Sequence, residues 1–165
     1  MASNTPRKSR RSIPPFVKVL IRYNPEDDEA LNRRQAGRLR DLAPRLAGLR
    51  EQLERELREK GAVIFGAGAS RVPNTSYFSF PGIEGETLVI ELDNAGFAVA
   101  SGAACSSTST EPSATLLAMG VTPEVARGAV RLSLGKDNTA DEVAAFLRAL
   151  ENVLAKLKRM TAMAV

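Results

Sequence analysis

The chain has no histidine and no tryptophan, and only one cysteine. Without histidine it lacks the commonest general base and the commonest metal ligand. One cysteine with no histidine also cannot assemble an ordinary zinc site. A lone thiol excludes an internal disulfide and fits a reducing compartment, so a cytoplasmic location is expected. Aromatics make up only 5% of the residues, so the core must be built from Leu, Val, Ile and Ala. No run of 18 apolar residues is present, which argues against a membrane-spanning helix. With 165 residues and 44% hydrophobic content, the chain can still bury one core and reads as one domain.

Charge is unevenly placed. Residues 1–22 hold Arg7, Lys8, Arg10, Arg11, Lys18 and Arg22 and no acid. The other 143 residues carry 17 basic and 19 acidic side chains, a net of −2. The net charge of +4 therefore belongs to the N-terminal segment. Residues 1–28 read as a basic, disordered segment with one strand-like run, Phe16–Ile21. A transit peptide or a weak nucleic-acid patch could also use such a stretch, but nucleic acid is not expected as a partner.

Residues 29–160 read as the folded domain. Leu39, Leu42, Leu46, Leu49, Leu53 and Leu57 recur at helical spacing, predicting a helix from about Asp28 to Lys60. Pro44 could kink that helix or mark a second start, and Gly61 sits where a C-terminal cap belongs. Strands are expected at Ala62–Phe65, Ser76–Phe80, Phe97–Ala100 and Ala129–Leu134. Glu84–Asn94 reads as a helix with Leu88, Val89 and Leu92 inward. Another helix is expected to start near Thr110, with Leu116, Leu117 and Met119 as its apolar face, and a short one to run from Thr122 to Arg127. Thr139-Ala-Asp-Glu142 is a capping box before the stripe Val143, Phe146, Leu147, Leu150, Val153, Leu154 and Leu157. The class is α+β, a small antiparallel or mixed sheet with helices on one face.

Two residues stand out chemically. Cys105 sits in ASGAACSSTSTEPS (100–113), among residues too small to build a core around it. A helix N-terminus following the arm would favour its thiolate, the nucleophilic form. An incidental exposed thiol is the competing reading, and on the residues alone both stand. Arg131 lies on the polar face of its strand, with a planar fork suited to a carboxylate. An ordinary outward arginine or an ion pair would look the same.

The segments RVPNTSYFSFPGIEGETLVIELDNAGFAVASGAACSS (71–107), TEPSATLLAMGV (110–121) and GAVRLSLGKDNTADEV (128–143) carry a further signal. Over roughly Leu39 to Lys158 the chain resembles the C-terminal part of cysteine desulfurases, pyridoxal-phosphate enzymes of aminotransferase class V. SGAACSS, with Glu-Pro-Ser beginning six residues after its cysteine, resembles the iron–sulfur-assembly type with the longer cysteine loop. The resemblance implies the small C-terminal domain of a fold-type I pyridoxal-phosphate enzyme. It implies that Cys105 is the nucleophile that takes substrate sulfur as a persulfide, leaving alanine. It implies that Arg131 holds the substrate carboxylate, and that Asn74, Gly102 and Gly135 shape loops and turns.

The chain also departs from the family. The family's cofactor lysine follows a histidine in a large N-terminal domain, which also supplies a stacking histidine and an aspartate. Here there is no histidine, and Lys8, Lys18, Lys60, Lys136, Lys156 and Lys158 lie in other contexts. No cofactor is expected to bind this chain alone, and alone it is expected to be inactive. The expected partners are a chain carrying the pyridoxal-phosphate domain, a sulfur acceptor or scaffold protein, and further copies of itself. A non-enzymatic persulfide carrier and an inactive remnant are the alternatives.

Overall fold

The computed structural model describes residues 29–102 and 112–163, with side chains from 40 to 160 outside the same gap. The elements run α1 (Glu29–Glu59), β1 (Val63–Ile64), β2 (Thr75–Ser79), α2 (Gly85–Asn94), β3 (Ala100–Ser101), α3 (Ala114–Ala118), α4 (Pro123–Arg127), β4 (Val130–Ser133) and α5 (Ala140–Met163). The basic segment, with Phe16–Ile21, lies outside the described residues.

The leucine stripe of α1 does what its spacing predicts. Leu46, Leu53 and Leu57 are buried, and Leu42 and Leu49 pack against the same core. Pro44 sits inside one continuous helix and does not divide it. The helix ends at Gly61, whose φ of 91° only glycine adopts readily. Gly61 N–H donates to the Arg58 carbonyl and Ala62 N–H to the Leu57 carbonyl, both at 2.9 Å, a Schellman ending. The capping box of α5 is formed in both directions. Glu142 N–H donates to Thr139 Oγ1 at 3.3 Å, and Thr139 N–H donates to Glu142 Oε2 at 2.9 Å.

The four strands form one antiparallel sheet in the order β1-β2-β4-β3. Period-two alternation divides it into two faces. Phe78, Val130 and Leu132 point to one, where they meet the stripes of α1, α2 and α5. Tyr77, Ala129, Arg131 and Ser133 occupy the other. There α3 and α4 add a smaller cluster of Phe65, Leu116, Ala126 and Ala129, with Tyr77 packed against it.

Three expectations are corrected, the first being that helices cover one face of the sheet, since α3 and α4 lie on the other. Phe97–Val99 lies outside the ladder with β4, in which Ala100 and Ser101 are the register partners. Phe97 turns instead to an edge-on contact with Phe146, ring centroids 5.5 Å apart, so the chain leaves β4 and opens a cleft beside Leu132–Leu134. The helix expected near Thr110 begins at Ala114, with Ser113 as its N-terminal cap. Only Leu116 of its expected apolar face is buried; Leu117 and Met119 are exposed. Thr110 lies outside the described residues.

Candidate functional site

Arg131 projects from the middle of β4 onto the sheet face opposite the large core and is exposed. Its neighbours in register are Tyr77 on β2 and Ala100 on β3. The hydrogen-bond phase sharpens this row. Leu134 N–H donates to the Asn74 carbonyl at 2.7 Å, and the Tyr77 carbonyl accepts from Phe65 on the β1 side at 2.8 Å. Tyr77 and Arg131 are therefore a non-hydrogen-bonded pair, the antiparallel arrangement that brings side chains closest. The row beside it holds Thr75 and Ser133, whose hydroxyls lie 3.2 Å apart. The Arg131 side chain has no hydrogen-bond or ion-pair partner among the described residues.

Asn74 donates its Nδ2 to the Leu134 carbonyl at 3.0 Å, pinning the start of β2 to the end of β4. Gly135 N–H donates to Asn138 Oδ1 at 2.6 Å and starts the turn into α5. Arg45 of α1 donates to the Asn138 carbonyl at 2.6 Å and also to that of Lys136, holding the same turn from below. Gly102 follows β3, and its N–H donates to the Ala129 carbonyl at 2.7 Å, adding one rung to the ladder. Cys105 lies outside the described residues; the described backbone stops at Gly102 and resumes at Pro112.

An ion pair between buried Glu54 and half-buried Arg71, which the sequence did not reveal, supports the β1–β2 loop. Arg71 donates to both carboxylate oxygens of Glu54 at 2.7 and 2.9 Å, and Arg58 lies 3.7 Å away. Burial by itself raises the Glu54 pKa, but the bonded and charged Arg71, together with Ser76 and the charge of Arg50, outweighs it and holds the carboxyl below its ordinary range. Arg50 donates to the Val72 carbonyl at 2.7 Å. The loop leading to Asn74 and Thr75 is thus fastened to α1. Nothing in the sequence separates Glu54 from the solvent-facing acids of α1, since its partner is 17 residues away in a loop.

The sequence from 28 to 146 matches the aminotransferase class-V family. This chain belongs to the aminotransferase class-V family. A cysteine desulfurase of Gluconacetobacter diazotrophicus is 40% identical over 119 residues, covering 71% of this chain and 30% of the relative. The cysteine desulfurase IscS of Clostridium botulinum is 31% identical over 145 residues, covering 88% of this chain and 34% of its own length. Among solved structures, a NifS-like protein superposes with a TM-score of 0.63 at 35% identity, covering 73% of this chain and 30% of the other. The chain thus spans about a third of the length of the relatives it matches. The α+β fold is that of part of a NifS-like enzyme.

The family depends on pyridoxal phosphate, which forms its working bond with a lysine amine. The described lysines do not fit that task. Lys60 pairs with Glu151, Lys156 with Glu91 and Lys136 with Asp137, and Lys158 lies on α5. All four belong to the helical layer or its connecting turn, across the sheet from Arg131. Among the described residues no three His, Cys, Asp or Glu side chains group into a metal site, and no helix is long and apolar enough to cross a membrane.

Proposed function

We propose that this chain supplies the sulfur-accepting and carboxylate-binding part of a cysteine desulfurase reaction, with L-cysteine as sulfur donor. Arg131 grips the substrate carboxylate through paired charge-assisted hydrogen bonds. The Cys105 thiol gives up its proton and attacks the substrate sulfur. A new S–S bond forms and the carbon–sulfur bond breaks, its electron pair staying with the carbon, which takes a proton to become alanine. Cys105 then carries a persulfide to an acceptor or scaffold protein for iron–sulfur or thiocofactor assembly. The activating chemistry comes from a pyridoxal-phosphate-binding part, on this or a second polypeptide, that the described lysines do not supply. The exposed Leu117 and Met119 favour coverage by that part or by a second copy. The placement is cytoplasmic.

The observation that carries this reading is that Arg131, exposed on its sheet face, has no side-chain partner among the described residues and lies one strand from the backbone that leads to the only cysteine. Mass spectrometry after mixing the chain with L-cysteine, pyridoxal phosphate and the remaining part of a relative tests it. The expected result is one added sulfur on the peptide containing Cys105, and none without the relative's part. No added sulfur in the complete mixture overturns the proposal. The misfit of the lysines favours a second reading, in which Cys105 only relays persulfide made elsewhere. Labelling by an intact desulfurase, with the complete mixture above inert, would select it.

A further inference from the structure

Beside Arg131 on the open face stands a second polar feature, the hydroxyl pair of Ser133 and Thr75. Ser133 follows Arg131 by two residues along β4, so both side chains leave the same face, and both are exposed. Thr75 is the register partner of Ser133 on β2, and the two hydroxyl oxygens lie 3.2 Å apart. Two hydroxyls carry two protons, and their mutual bond uses one. The second proton has no acceptor among the described residues. The register partner of Arg131 offers no such donor, because the Tyr77 hydroxyl donates to the Gly102 carbonyl at 3.3 Å. No acidic side chain occurs in these rows, which pair Thr75 with Ser133, Tyr77 with Arg131 and Arg131 with Ala100.

We propose that Ser133 is a second donor to the substrate carboxylate and that Thr75 is the positioning residue that orients it. This rests on the function proposed above and adds a contact for the same substrate. Two residues along a strand are about 7 Å apart. A carboxylate seated between Arg131 and Ser133 would accept from the guanidinium on one side and the hydroxyl on the other, at about 3 Å each. A carboxylate offers about four lone-pair sites, so a guanidinium fork leaves room for a third donor. When Thr75 donates to Ser133 Oγ, the Ser133 proton cannot lie along that bond and is directed away from Thr75. A hydroxyl oriented in this way has less freedom to lose when the carboxylate arrives.

Acetate, a minimal carboxylate probe, tests this on the full chain with no cofactor present. An NMR titration follows the Arg131 Nε–H and Ser133 backbone amide signals, and in the wild type acetate should shift both with one affinity. Ser133→Ala should weaken acetate binding about fivefold, as loss of one ordinary hydrogen bond would. Ser133→Thr keeps the hydroxyl and should restore most of the affinity. Thr75→Val keeps a branched side chain on the strand and should weaken binding about twofold, with no further loss in the Ser133→Ala background, because Thr75 acts through Ser133. With the relative's cofactor part added, Ser133→Ala should raise the KM for L-cysteine about fivefold and leave kcat unchanged. Equal acetate affinity in wild type and Ser133→Ala overturns the proposal and leaves the Arg131 grip standing. An Arg131 signal that acetate does not move overturns the grip and the proposal together.

Discussion

The two faces of the sheet do different work. The face under α1, α2 and α5 is filled by interlocking leucine, valine and phenylalanine side chains, with Phe78, Leu88, Leu92, Val130 and Leu150 wholly buried. The other face is only partly covered by α3 and α4, and it presents Arg131, Ser133 and Thr75. One strand serves both, because Val130 and Leu132 alternate with Arg131 and Ser133. The same four-residue strand therefore helps hold the fold together and presents the side chain proposed to grip the carboxylate. The difference predicts that stability and sulfur transfer can be separated by substitutions one residue apart.

The largest effect should come from the filled face. Phe78→Ala removes a fully buried ring and should cost about 3–5 kcal/mol, enough to abolish cooperative thermal unfolding monitored by circular dichroism. Next is the Glu54–Arg71 pair. Glu54→Gln should cost roughly 2–3 kcal/mol in denaturant titrations, toward the lower end for a buried pair because Arg71 is partly exposed. The pH dependence has a definite sign. The folded-state pKa of Glu54 is lowered, so its contribution is complete above the unfolded carboxyl pKa and is lost as pH falls through the folded value. Wild type should therefore lose stability below about pH 4.5 more steeply than Glu54→Gln does. Parallel pH curves would show that the pair contributes nothing.

Thr139→Ala opens the capping box of α5 and should cost about 1 kcal/mol, seen as a lower denaturation midpoint at unchanged slope. Smallest in stability is Arg131→Ala. It removes an exposed side chain without a described partner and should shift unfolding by less than about 0.5 kcal/mol. A large destabilisation there would mean that Arg131 serves the fold, and would dissolve the contrast between the faces.

Much of the filled face was legible in the sequence, because its signals are local. The leucine spacing of α1, the glycine after it and the Thr139–Glu142 box each lie within one or two helical turns. The alternation of Val130 to Leu134 likewise placed Arg131 on the polar face. The open face was harder, because its contacts join distant segments. Tyr77 and Gly102 are 25 residues apart, and only the strand order brings them together. The strand expected at Phe97–Ala100 holds only at Ala100, because apolar alternation cannot distinguish a paired strand from a segment whose phenylalanine packs on a helix. The inward face expected at Leu117 and Met119 failed because a five-residue helix has room for only one buried position, taken by Leu116.

The central claim is that the open face joins a carboxylate grip at Arg131 to a sulfur-accepting thiol at Cys105. Its most direct test compares wild type with Arg131→Ala in the mixture with L-cysteine, pyridoxal phosphate and the remaining part of a relative, following the mass of the Cys105 peptide. The account predicts one added sulfur in the wild type and little or none in Arg131→Ala at equal folded content. Equal sulfur uptake by the two proteins would contradict it.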